Sequence, residues 1–227
     1  MGERKAWIER RLQELDSIFA VSVGGFAVLD NHLHVLLRLD PDEAKGWSDT
    51  EVIERWFRLY PPRGSDRKPL PEAKRKELVK ERLADAKWLA EVRERLSSLG
   101  WFMKSLKEPL SRMVNKAEKC TGAFFEGRFK SIAVLDEEAL LSVCAYILLL
   151  VDYTGRLLRD GKATVSSELA SILDRIGSSA DAWQARVSRL RGGRLLGRFI
   201  AGSREAMQRA AERLGVSHLA NLKAATG

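Results

Sequence analysis

Between Ala20 and Leu39 the chain reads AVSVGGFAVLDNHLHVLLRL, two β-branched and partly alternating runs separated by Asp30-Asn31. Alternation with a period of two puts every second side chain on one face of a strand. The pattern therefore predicts strands at 20–29 and 32–39 joined by a two-residue turn, although Asp-Asn is a less specific turn signal than Asn-Gly. This hairpin constrains everything else, because most of the remaining periodic segments are helical.

Trp7, Ile8, Leu12, Leu15 and Ile18 recur at helical spacing and predict an amphipathic helix over 4–19. Pro41 and Gly46-Trp47 mark a loop. Ser48 with Glu51 three residues on is a capping box that opens a helix over 49–59. A Pro-rich linker follows, then a Glu/Lys/Arg/Ala/Leu-rich helix over 72–98. A further helix runs from 99 to about 118, interrupted or bent at Pro109 and ended by Cys120-Thr121-Gly122. Residues 129–135 read as a third strand. Asp136 is the expected N-cap of a helix reaching about 151, and short helices are expected near 165–176, 180–190 and 203–214. The order predicts an α+β fold, with a small antiparallel sheet, packed helices and a helical C-terminal segment. The expected division is a domain over 1–150, with an insert at about 61–98, and a basic segment over 151–227.

The formal charge is +8, and residues 151–227 carry 13 Lys/Arg against 7 Asp/Glu, so the excess lies mainly there. A basic balance fits a polyanionic partner, most often nucleic acid. The longest apolar run, 139–151, is broken by Ser142 and falls short of the roughly 20 residues of a membrane helix, so no membrane partner is expected. MGERKAWIERR lacks the apolar core of a signal peptide. The only two cysteines, Cys120 and Cys144, lack metal-ligand spacing and fit a reducing cytosol, so a cytoplasmic protein is expected.

Three constellations carry chemistry. His32 and His34 are i and i+2 on a strand, so both imidazoles face one way and can reach one divalent cation while Leu33 packs into the core behind them; the competing reading is two histidines on a solvated strand face. Arg128 and Lys130 interleave with aromatics in Phe124-Phe125-Glu126-Gly127-Arg128-Phe129-Lys130, a composition suited to phosphates and unstacked bases or to a plain solvated strand. Lys104, Lys107, Arg112 and Lys116 give the helix over 99–118 a basic face, and Ser111 and Asn115 lie one turn apart on it.

In order along the chain, Gly25–Leu37 with its His-Leu-His, Thr121-Gly-Ala-Phe-Phe-Glu-Gly-Arg-Phe-Lys-Ser131, and Asp136-Glu-Glu-Ala-Leu-Leu followed by Cys144-Ala-Tyr-Ile147 resemble the HUH single-tyrosine transposases, including the REP-associated tyrosine transposases. The resemblance covers roughly residues 4–147. It implies a ferredoxin-like sheet and a divalent metal, Mg or Mn, held by His32 and His34 with Asn115 as the best-placed third ligand. It also implies cleavage and rejoining of single-stranded or hairpin DNA through a tyrosine nucleophile, and usually a homodimer.

The departures are specific. The helix expected to carry the nucleophile reads KEPLSRMVN over 107–115, and no tyrosine occurs between Tyr60 and Tyr146. Ser111 and Tyr153 are the remaining catalytic candidates, while Tyr146 reads as a core residue packed by Val143, Ile147 and Leu150. The strand the family places before the opening helix is missing. The sequence thus predicts a transposase-like DNA-binding protein impaired in catalysis. The alternatives are a non-catalytic nucleic-acid-binding protein and the product of a decayed element.

Overall fold

The computed structural model describes residues 2–29, 32–136, 139–140, 143–144, 146–147, 200–201, 208–209 and 212. The chain divides into two units, 1–24 with 37–128 and 25–36 with 129–227. Mixed helix and strand make it an α+β protein.

The first unit is helical apart from the base of the hairpin. Helix α1 spans Gly2–Asp16 and packs on α6, Leu99–Ala117. Its stripe of Ile8, Leu12 and Leu15 is buried, as are Phe102, Leu106, Leu110 and Val114 of α6. Burial of such side chains contributes roughly 1.5–3 kcal/mol each, which is what holds the pair together. Strand β1, Val21–Val28, and strand β2, Leu33–Leu39, form the two-stranded hairpin sheet. Leu29 N donates to His32 O at 2.8 Å beside the turn, while Asp30-Asn31 lies outside the described residues.

Helix α3, Asp49–Leu59, starts as its capping box dictates, with Ser48 Oγ accepting from Glu51 N at 3.2 Å. Two expectations require correction upstream and downstream of it. The segment read as a loop forms a short helix α2, Pro41–Gly46, because Asp40 caps it and Pro41 occupies the first helical position, where its missing N–H costs nothing. The single helix expected over 72–98 is two, α4 at Glu72–Leu83 and α5 at Ala86–Leu96. The break is at Asp85, whose carboxylate accepts from Trp88 N at 3.0 Å and so starts a new helix.

Helix α6 runs through Pro109 without ending. Proline has no N–H to give the carbonyl four residues back, which is Ser105 O. Arg11 on α1 supplies the missing donors: its Nε and Nη2 lie 3.2 and 3.1 Å from Ser105 O. Two more arginines hold backbone ends together in the same way. Arg55 donates to the carbonyls of Ser17 and Ile18 beyond α1, and Arg93 to those of Ala44 and Trp47 at the end of α2. Helix α6 ends at Ala117, about where the sequence places its end. It closes at Lys119 (φ 50°), with Cys120 N donating to Asn115 O at 3.0 Å, the six-to-one bond of a Schellman turn.

In the second unit, Ala27 and Ile147 are buried together, with Leu29, Leu36, Val143 and Tyr146 packed against them. Asp136 caps the helical residues that follow it, its Oδ1 accepting from Ala139 N at 2.8 Å. The expected strand over 129–135 is reduced to β3, Ala133–Val134, which pairs in parallel with β4, Ile200–Ala201. Among the described residues this is a separate two-stranded sheet, not a third strand added to the hairpin. A two-residue pairing is all that Phe129-Lys-Ser-Ile-Ala-Val supports, since 129–132 carry no regular structure. Gln208, Arg209 and Glu212 are helical, whereas the helices expected near 165–176 and 180–190 lie outside the described residues.

Candidate metal and nucleic-acid site

His32 precedes β2 and His34 lies within it, and the strand's two-residue period turns both rings to one side. The rings are near-parallel, 10° apart in plane, with centroids separated by 6.3 Å. To share one ion, a nitrogen of each ring would have to come within about 2 Å of it. His32 is exposed and His34 half-buried. Leu36 shares their parity and packs into the cluster with Ala27 and Ile147, so the histidines lie on the face of the strand that carries Leu36; Leu33, on the other face, is half-buried.

Tyr146 is the residue that sequence reasoning placed only in the core. It does pack against Ala27 and Ile147, yet its ring also stands edge-on to His34, centroids 5.5 Å apart and planes at 88°. No local spacing in the sequence signals that contact.

Asn115 belongs to the first unit, and its amide is engaged there. Nδ2 donates to Gly122 O at 2.9 Å, and Oδ1 accepts from Cys120 Sγ at 3.6 Å. Gly122 takes φ 123°, a conformation that side chains resist, so the loop after α6 is pinned by this contact. Ser111 Oγ donates to Lys107 O at 2.8 Å, one turn back in its own helix. Among the described residues no hydrogen bond joins it to a base. Tyr153 lies outside the described residues. Among the described residues no cluster of three or more His, Cys, Asp or Glu side chains is placed to hold a metal.

The basic candidates separate by what already holds them. Lys107 caps the loop: its Nζ donates to Gly127 O at 2.9 Å and lies 4.3 Å from the Phe125 ring centroid. Burial holds its pKa below the usual lysine value, so this ammonium is partly desolvated and committed. Arg112 is paired with Glu108. Lys104 lies 4.5 Å over the Trp101 ring. Arg128, Lys130 and Lys116 are exposed, and none has a carboxylate within 4.0 Å among the described residues. Arg128 and Lys130 flank Phe129 in a segment without regular structure, a shape that can follow an irregular phosphate backbone.

Comparison with protein-family models, with curated proteins and with solved structures finds no match. No helix among the described residues is long and apolar enough to cross a membrane.

Proposed function

We propose that this chain is a transposase-like protein that binds single-stranded or hairpin DNA, related to the metal-dependent HUH strand-transfer enzymes and impaired in strand cleavage. The observation that carries the reading is the pair of near-parallel imidazoles of His32 and His34 on one side of the hairpin, 6.3 Å apart. In this reading the hairpin is part of a ferredoxin-like sheet, the chain is cytoplasmic, and it pairs as a homodimer.

The two imidazoles fit the nitrogen half of a divalent-ion site. Mg²⁺ or Mn²⁺ bound there would supply Lewis-acid polarisation of a DNA phosphate, with phosphate oxygens and water completing its shell. His32, the more exposed, faces solvent where a phosphate arrives; His34 is held between it and Tyr146. Arg128 and Lys130 neutralise phosphates of the bound DNA. The Asn115 amide is already engaged by Gly122 and Cys120 within its own unit.

Impairment rests on the nucleophile. α6 carries no tyrosine, and the Ser111 hydroxyl is spent on Lys107 O. The same observation favours the second reading, a purely DNA-binding protein. Labelled single-stranded and hairpin oligonucleotides incubated with the protein and Mn²⁺ should be bound but not covalently captured on denaturing gels. Joint His32→Ala and His34→Ala replacement should abolish any Mn²⁺-dependent gain in binding. A covalent adduct lost in Tyr146→Phe or Tyr153→Phe would overturn the impairment and name the nucleophile. No DNA binding at all would sink the proposal.

A further inference from the structure

Trp56 and Tyr60 are one turn apart at the end of α3, with ring centroids 4.7 Å apart, and Trp101 in the first turn of α6 stands 5.7 Å from Trp56. The buried stripe of α3 is Val52, Ile53 and Phe57, so this aromatic trio lies at the edge of the core, and Tyr60 is 39% exposed. Two cations attend it. The Arg95 guanidinium lies 4.9 Å from the Trp101 centroid and 5.7 Å from that of Trp56, and Glu91 fixes it at 3.2 Å. Arg95 therefore contacts both indoles. Lys104 lies over Trp101 at 4.5 Å, is exposed, and has no carboxylate partner among the described residues.

We propose that Trp56, Tyr60, Trp101 and Lys104 form a stacking platform for an unpaired base of single-stranded DNA, separate from the histidine pair. This rests on the reading of the chain as a single-strand binder. An exposed cation–π contact is weak enough to be exchanged. A base takes the place of the Lys104 ammonium on the ring face, and the ammonium turns to that nucleotide's phosphate. Aromatic faces accept any base, so the platform adds affinity without sequence preference. The strand has somewhere to continue. Lys104, Glu108, Arg112 and Lys116 recur every four residues on α6, about 6 Å per step, and form one stripe. Its only carboxylate, Glu108, is paired with Arg112. This positive stripe leading away from the rings favours a nucleic acid over an apolar peptide.

The test titrates the full chain with labelled oligothymidylate of about 12 nucleotides, a length within the usual site size. Anisotropy and tryptophan fluorescence are both read. Wild-type binding should quench fluorescence. Tyr60→Ala and Lys104→Ala, both at exposed positions, should each weaken binding at least about fivefold. Trp101→Phe should lose most of the quench, and an abasic strand of equal length should bind more weakly without quenching. A joint Arg128→Ala and Lys130→Ala variant separates the two claims. If it weakens binding while the platform variants bind and quench like wild type, the platform is wrong and the DNA-binding reading stands. If the abasic strand binds as well as oligothymidylate, stacking is excluded. If wild type binds no single strand, both proposals fall.

Discussion

Lys119 shows how a single residue records what the sequence did not announce. Its φ of 50° places a lysine where helix ends usually put glycine, because the Cβ crowds the backbone there. Lys119→Gly should remove that strain and raise stability by up to about 1 kcal/mol, read as a shift in urea midpoint at unchanged slope. An unchanged or lower midpoint would show that the lysine side chain makes a compensating contact. Gly122 also has positive φ, yet it serves the loop that Asn115 pins rather than the helix stop. Glycine marks a turn in the sequence, whereas the lysine at 119 does not. His32 and His34 were legible for the opposite reason, since a two-residue period fixes sidedness locally. Tyr146 was not, because its contact with His34 joins residues more than 100 positions apart and no local period encodes it.

At the level of elements, local chemistry was readable wherever a cap is made by neighbours. Ser48 with Glu51 and Asp136 with Ala139 were both explicit in the sequence. Asp85 was equally explicit and was overridden by the uninterrupted helix-forming composition around it, which is why one helix was expected where two form. Pro109 shows the limit of local reading. Proline predicts a broken helix, but α6 continues because Arg11, 94 residues away in sequence from Ser105, bonds the carbonyl that proline leaves open. Arg11→Met should therefore orphan Ser105 O and cost about 1–3 kcal/mol of stability. In a Pro109→Ala background the amide at 109 restores the helical bond, and the same substitution should cost markedly less. The surface pair of Arg11 with Glu14 contributes little to either measurement. Equal costs in both backgrounds, measured as a double-mutant cycle by chemical unfolding, would remove the link between the proline and the arginine.

Across the whole molecule, the formal charge of +8 overstates the cations ready for a polyanion. Arg11, Arg55 and Arg93 are bound to backbone carbonyls, Lys107 holds the loop after α6, and Arg112 is paired with Glu108. Lys104, Lys116, Arg128 and Lys130 are the sequence-identified candidates that retain exposed heads without a carboxylate partner among the described residues. Further basic residues lie in 151–227, mostly outside the described residues. Each phosphate neutralised on a single strand contributes about 0.7 to the slope of log affinity against log salt, so engagement of those four sets a slope of about −3. Anisotropy titrations of a labelled single strand across a salt series measure it directly. Removing Arg128 and Lys130 together should flatten the slope by about 1.4 and weaken all sequences alike, as phosphate contacts do. A markedly steeper wild-type slope would mean that further cations, in 151–227 or elsewhere, also engage phosphates. A slope near zero would mean that binding does not release counterions, and the assignment of these four side chains to phosphates would fall.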